Sequence, residues 1–197
     1  MIDTTYGGLL GAIRTSASQV DLSLSDIIDD YEAFLRQEGV LKLGPQMVVF
    51  AATQSLNDNM AVRMLSDPAE RKSKADMDFI GLYQNKAVRL IAKPTDVVCG
   101  KMVDGEFVIE TVELGSGGSE VAARITAAIP TFDYWPTLGT ERHRHYLWNQ
   151  HAEIEFRKRS GGVRSIRHLD LSQWGLVTAG SQELAEAAAT LNGAEFD

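Results

Sequence analysis

Asp104-Gly105, set between two runs rich in β-branched residues, constrains the fold more than any other part of the chain. This dipeptide is of the kind that adopts the two positive φ angles of a type I′ turn, which joins antiparallel strands directly. Residues 97–103 and 106–114 are therefore predicted to form a β-hairpin. A similar pair of runs at 78–83 and 87–92 predicts a second hairpin just before it.

The first third of the chain has helical patterns instead. Between Ser25 and Gly39, apolar residues recur about every 3.6 positions, a serine can cap the start and a glycine can close the end. A helix is therefore predicted there. Residues 47–65 leave two alternatives open, because a short apolar run fits both. One is a single helix, and the other is a buried strand at 47–52 followed by a helix.

Two more helices and a long hairpin are predicted in the second half. Capping residues and apolar spacing indicate one helix at 119–130 and an alanine-rich one at 181–193. A strand is predicted at 144–157, with a glycine turn after it and a return strand at 163–171.

Helices followed by a block of hairpins predict an α+β fold rather than an alternating α/β fold. We expect a single domain over residues 1–197. In it, a mainly helical N-terminal third, residues 1–75, packs on an antiparallel sheet. Residues 76–197 build that sheet from hairpins and add two helices, one of them C-terminal.

The composition predicts a cytoplasmic protein without a membrane partner. Cys99 is the only cysteine, which excludes an internal disulfide and predicts a reducing compartment. The N-terminal residues lack the pattern of a signal peptide. The longest apolar stretch, at 47–52, is far shorter than the roughly 20 residues of a membrane-spanning helix.

A basic region interrupts an otherwise acidic chain. Residues 141–168 contain seven basic and three acidic residues, a local charge of +4 in a chain whose net charge is −8. All four histidines also lie there. Basic and aromatic side chains on a hairpin can bind phosphates and stack on bases, so this hairpin, residues 142–168, is the predicted contact surface for another protein or nucleic acid. Its predicted contact residues are Arg142, Arg144, Arg157, Arg159, Arg164, Arg167 and the nearby Trp135.

His143 and His145 offer an alternative, a divalent metal site. Residues two apart on a strand share a face, so both imidazoles could bind one ion. With Asp76, Asp78 or Glu153 completing the ligand set, a metal-dependent hydrolase or nuclease would result, in which the metal generates the attacking hydroxide.

The same strand pattern favours a simpler assignment. The odd-numbered residues from His143 to Glu155 would face solvent, and the even-numbered aromatic and aliphatic residues would pack inward, because burying unpaired polar groups costs free energy. If the polar face of the strand is exposed in this way, the sequence predicts no cofactor, no metal and no catalytic residue. The inward-facing residues would be Tyr146, Trp148, Ile154 and Phe156.

A short segment before the first predicted helix suggests a docking peptide. Gln19, Leu22 and Leu24 are spaced as in the peptide by which bacterial proteins bind the replication sliding clamp, which this segment resembles. The resemblance implies capture of an extended peptide in a groove of the clamp. The terminal phenylalanine favoured in such peptides is absent here.

The sequence thus favours a non-enzymatic, cytoplasmic binding or regulatory protein that acts through macromolecular interaction. The metal-dependent enzyme is the first alternative. The second alternative is binding of single-stranded nucleic acid through the 142–168 hairpin, or docking on the sliding clamp through Gln19 to Leu24. The oligomeric state is not predicted.

Overall fold

The computed structural model describes residues 44–71, 77–132, 136–163, 166–176 and 183–197. These residues form ten strands, three α-helices and three short 3₁₀-helices. The strands and α-helices in chain order are β1 (Gln46–Ala51), α1 (Leu56–Val62), β2 (Met64–Pro68), β3 (Phe79–Gln84), β4 (Ala87–Ala92), β5 (Asp96–Val103), β6 (Glu106–Leu114), α2 (Ser119–Ala128), β7 (His143–Leu147), β8 (His151–Lys158), β9 (Ile166–Asp170), α3 (Leu184–Leu191) and β10 (Glu195–Phe196). The 3₁₀-helices are Ile129–Thr131, Pro136–Gly139 and Leu171–Trp174.

The strands make two sheets. The larger has six strands in the order β10-β8-β4-β3-β1-β9, and the smaller has four in the order β2-β7-β5-β6. The larger sheet is mixed, because β1 is parallel to β3 and β10 is parallel to β8. Every neighbouring pair in the smaller sheet is antiparallel.

The two sheets stack between two helices, in the layer order α3, larger sheet, smaller sheet, α2. The core between the sheets joins Phe50 and Leu82 of the larger sheet to Tyr146 of the smaller one, and the rings of Phe50 and Tyr146 lie 5.1 Å apart. A second core lies between the larger sheet and α3, and a third lies between the smaller sheet and α2. Both sheets are therefore covered on both faces over much of their area.

Both predicted hairpins are confirmed. β5 and β6 pair around Asp104 and Gly105, whose φ angles of 51° and 88° match a type I′ turn. β3 and β4 pair around Asn85 and Lys86, which also have positive φ angles. The predicted helix at 119–130 is α2. The alanine-rich helix is α3, although its predicted cap Ser181 lies outside the described residues.

The predicted fold class is wrong. The described residues are mostly β, and of the third predicted to be helical, residues 44–71 contain two strands and one seven-residue helix. For residues 47–65, the strand-plus-helix alternative is the one observed. Met47 to Phe50 are all buried, and they alternate between the two cores that flank the larger sheet. A strand buried on both faces has no polar alternation, so its pattern resembles that of a buried helix. The predicted helix between Ser25 and Gly39 lies outside the described residues.

The long strand predicted at 144–157 is also wrong, because it is two strands in different sheets. Trp148 follows β7 directly, and its side chain is buried between the sheets. Its backbone N–H donates to the Arg63 carbonyl at 3.2 Å. The chain then crosses to the larger sheet as β8. The predicted 142–168 hairpin does not form, because β8 already has β4 and β10 as neighbours, and β9 pairs with β1 instead.

The larger sheet curves until its two edge strands approach each other. The Arg167 guanidinium of β9 lies 6.0 Å from the ring centroid of Phe196 of β10. Trp174, just after β9, donates its Nε1–H to the Glu195 carbonyl at 3.1 Å. Residues that are far apart in strand order thus meet on one side of the sheet.

In the described part of the chain, no helix is long and apolar enough to cross a bilayer.

Candidate functional site

The structure divides the predicted basic surface into two places. Arg142 and Arg144 belong to the smaller sheet, at the start of β7. In the larger sheet, Arg157 lies near the end of β8, Arg159 follows it directly, and Arg167 lies on β9. The remaining predicted site residues lie outside the described residues, so the structure neither places nor tests them. They are Trp135, Arg164, Gln19, Leu22, Leu24 and Asp76.

Arg142 and Arg144 are engaged by acidic side chains of the neighbouring hairpin. Arg142 Nε donates to Glu110 Oε2 at 2.6 Å. Arg144 Nε donates to both carboxylate oxygens of Glu113, at 3.0 and 2.9 Å, and the two side chains are only 12% and 19% exposed. These pairs tie β7 to β6 across β5. Much of the positive charge predicted for an anionic partner is therefore neutralised within the sheet.

Two buried acidic groups complete this polar cluster. Cys99 donates its Sγ–H to Glu113 Oε1 at 3.2 Å, and burial together with that hydrogen bond raises the pKa of the thiol to about 11. Burial also raises the pKa of Asp67, although Arg71 opposes the rise from 2.9 Å. A thiol this hard to ionise is a poor nucleophile. Cys99 is thus a buried thiol of low reactivity.

His143 and His145 are fully buried, so their predicted exposure on a solvent-facing side is wrong. β7 lies inside the smaller sheet between β2 and β5, and its odd-numbered side chains face the core under α2. His145 Nδ1 is 2.8 Å from Ser66 Oγ, and its imidazole meets the Phe107 ring edge-on with centroids 4.7 Å apart. Burial, and then the neighbouring His143, lower the pKa of His145 to about 3. His145 is therefore neutral at physiological pH.

The other half of that prediction is confirmed. The four even-numbered side chains predicted to pack inward are buried, but in different cores: the first two lie between the sheets, and the last two lie under α3. On β8 the odd-numbered Glu153 is exposed. The four buried side chains are Tyr146, Trp148, Ile154 and Phe156.

The described residues do not assemble the predicted metal site. No three His, Cys, Asp or Glu side chains among them lie close enough to hold one metal ion. Glu153, one of the proposed ligands, lies on β8 of the larger sheet, whereas both histidines lie on β7 of the smaller one.

Arg159 and Arg167 instead line a cleft of about 370 Å³ where the edges of the larger sheet approach. Trp174 and Phe196 form part of its wall, and we call it the arginine–tryptophan cleft. Arg159 Nε donates to Glu195 Oε2 at 3.0 Å, whereas Arg167 lies against the Phe196 ring. The other lining residues are His168, Leu169, Asp170, Gln173, Glu195 and Asp197.

Sequence reasoning identified the two arginines but missed both aromatic residues. Trp174 and Phe196 are 22 positions apart, outside the basic region, and only the approach of β9 to β10 brings them together. Both pack on Phe156, with ring centroids 5.0 and 4.7 Å away. Trp174 begins a short apolar stretch and Phe196 lies between two acidic residues, so no shared pattern in the sequence links them.

No protein-family model, curated protein or solved structure matches this chain. The geometry of its own residues is therefore the evidence that bears on its function.

Proposed function

We propose that this chain is a non-enzymatic, cytoplasmic binding protein that holds another protein at the arginine–tryptophan cleft. The observation that carries the proposal is the exposed Arg167 guanidinium, held against Phe196 at the mouth of the cleft beside Trp174. Among the described residues, no carboxylate lies within ion-pair distance of Arg167, unlike Arg142, Arg144 and Arg159. Its charge is therefore available to a partner.

The composition of the cleft favours a protein over a nucleic acid. Arginine and large aromatic side chains are the residues that contribute most to protein–protein binding, especially where a pocket excludes water. Three carboxylates, of Asp170, Glu195 and Asp197, also line the cleft and outnumber its two arginines. A nucleic-acid site needs an excess of positive charge, which this cleft lacks. The expected partner presents a carboxylate to Arg167 and an apolar side chain to Trp174.

Site-specific photo-crosslinking in native host cells tests the proposal. A photoreactive benzophenone amino acid replaces Gln173, an exposed residue that lines the cleft, and in a control it replaces Gln54, an exposed residue elsewhere. We expect a discrete crosslinked protein from position 173 only. Arg167→Glu should abolish it, whereas Arg157→Glu should not, because Arg157 is 61% exposed but lies outside the cleft.

The same experiment separates the alternatives. A product that nuclease treatment removes would identify nucleic acid as the partner and contradict the proposal. Equal crosslinking at positions 173 and 54, or a product that survives Arg167→Glu, would also contradict it. The metal-dependent enzyme gains no support from the described residues.

A further inference from the structure

A second groove, independent of the arginine–tryptophan cleft, runs between the outer edge of β6 and helix α2. Its volume is about 430 Å³, and β6 contributes Glu106 and Phe107 to its wall. The α2 side of the groove consists of small side chains, which leave space between the helix and the strand. They are Ser119, Ala122, Ala123, Thr126 and Ala127.

β6 is the last strand of the smaller sheet, and within the described residues it pairs with β5 alone. Val103 and Glu106 flank the two-residue turn and exchange backbone hydrogen bonds, so Phe107 and Ile109 direct their backbone groups to the outer edge. The Phe107 N–H confirms this direction, because it donates to Thr126 Oγ1 of α2 at 2.9 Å. The regular part of this edge, which ends at Ile109 where the β5–β6 register shifts, is thus oriented to pair with another strand.

Exposed apolar side chains accompany this edge. The large hydrophobic residues that remain exposed in the described residues all lie on the β5–β6 hairpin, with exposed fractions from 38% to 46%. Apolar surface concentrated on one hairpin is typical of an interaction site rather than of an ordinary protein surface. These residues are Val103, Val108, Val112 and Leu114.

The rim of the groove is acidic. Glu106 lines it directly, and Glu120 lies three residues before Ala123 and seven before Ala127, on the same side of α2. Neither glutamate has an ion pair within 4 Å among the described residues, although Arg124 attracts Glu120 from a longer distance. The Arg124 guanidinium donates to the backbone carbonyls of Arg63 and Trp148, so it forms no hydrogen bond with Glu120. The negative charge of Glu106 and Glu120 therefore complements lysine or arginine side chains.

We propose that β6 accepts an extended, basic segment of another protein as an additional strand. Backbone hydrogen bonds to β6 hold the segment, its small apolar side chains enter the groove beside α2, and its basic side chains meet Glu106 and Glu120. This mode of peptide recognition draws affinity from main-chain pairing and specificity from pockets for alternate side chains.

A blocked seven-residue peptide of alternating lysine and valine is the probe, with binding measured by fluorescence anisotropy at low salt. Two further versions carry N-methyl groups on the amides of one strand edge or the other. Because an added strand bonds through a single edge, we expect one version to lose at least tenfold in affinity and the other to stay within twofold. Absence of binding by the unmethylated peptide, or equal binding of both methylated versions, would overturn the proposal.

Variants of the chain test the position of the peptide. Ala123→Trp fills the groove with a side chain at an exposed position, and should weaken binding at least tenfold. Ala61→Trp, at an exposed position of α1, is the matched control and should leave binding unchanged. Glu106→Lys combined with Glu120→Lys should reverse the preference towards a peptide of alternating glutamate and valine. Equal effects of the two tryptophan variants would contradict the assignment.

The remaining outcomes distinguish other occupants. If the chain forms a dimer in sedimentation experiments and Ala123→Trp abolishes it, the occupant is a second copy and the proposal of a foreign basic segment is wrong. Arg167→Glu, which tests the arginine–tryptophan cleft, should not change peptide binding. The two proposals can therefore fail separately.

Discussion

His145 and Ser66 form a hydrogen bond across the β7–β2 ladder, with Nδ1 and Oγ 2.8 Å apart, inside the smaller sheet. Both residues are buried, and Phe107 packs against the imidazole. The pair satisfies two polar groups in an apolar core, but it gives neither of them access to solvent. A serine–histidine contact of this kind is structural, because a substrate cannot reach it.

We predict that acid destabilises the fold through His145. Burial lowers its folded-state pKa to about 3 from an ordinary value of 6.5, so below pH 6.5 the unfolded state binds the extra proton. The contribution of His145 to the free energy of unfolding is complete above pH 6.5, and it decreases by about 1 kcal/mol per pH unit as the pH falls towards 3. Urea denaturation from pH 7.5 to 4.5 should show this slope in the native protein and a smaller one in His145→Asn.

Neighbouring acids modify this slope in known directions. The raised pKa of Asp67 stabilises the fold as the pH falls towards 3.8, which opposes His145, and Asp67→Asn should therefore steepen the slope. The lowered pKa of Glu113 acts in the same sense as His145. An unchanged slope in His145→Asn would show that the imidazole is not the group responsible.

Cys99 should resist alkylation in the folded protein. Its side chain is buried and the pKa of its thiol is raised to about 11, so very little reactive thiolate exists at pH 8. Iodoacetamide at pH 8 should label the denatured protein completely and the native protein at least a hundredfold more slowly. Mass spectrometry measures the extent of labelling. Rapid native labelling would mean that β5 opens readily, contrary to its central position between β6 and β7.

The local hairpins could be predicted from the sequence, because the residues that specify them are adjacent in the chain. Asp104-Gly105 fixes a turn without help from distant residues, and the φ angles observed there agree. α2 was also predictable, since its apolar residues recur at helical spacing and Pro130 follows it. These features depend on local backbone preferences alone.

The sheet assignment and the candidate cleft could not be predicted, because they depend on contacts between distant residues. Trp148 appeared to continue a strand, yet its burial between the sheets divides that strand in two. His143 and His145 have the alternation of an exposed polar face, but they occupy the centre of a sheet that α2 covers. Phe196 meets Arg167 only because the larger sheet curves. Sequence spacing carries no information about that curvature.

Gly100→Ala should destabilise the fold severely. A Cβ at this position would collide with the Val108 carbonyl oxygen and lie 2.7 Å from Phe107 Cζ, so β5 and β6 could not keep their spacing. We expect a loss of about 3 kcal/mol or more, or a failure to fold. Gly139→Ala is the control, because a Cβ added there would have no atom within 4 Å, and it should change stability by less than about 0.5 kcal/mol. Equal stability of the two variants in urea denaturation would contradict the β5–β6 packing.

Arg124 holds the crossing between the two sheets in place, and we predict that its loss weakens the junction. Its Nη2 donates to the carbonyls of Trp148 at 2.7 Å and Arg63 at 2.8 Å, where β7 ends and where α1 passes into β2. Arg124→Met keeps the apolar stem but removes the donor, which should cost about 1.5–3 kcal/mol in urea denaturation, the usual range for hydrogen bonds from a charged group.

The control variants for Arg124 separate hydrogen bonding from charge. Arg124→Lys keeps the charge and should recover part of the lost stability. Lys101→Met removes an exposed charge elsewhere on the smaller sheet and should have an effect below about 0.5 kcal/mol. If Arg124→Met and Lys101→Met proved equally mild, the carbonyls of Arg63 and Trp148 would be adequately satisfied by water. The separation of β7 from β8 would then rest on the burial of the Trp148 side chain alone.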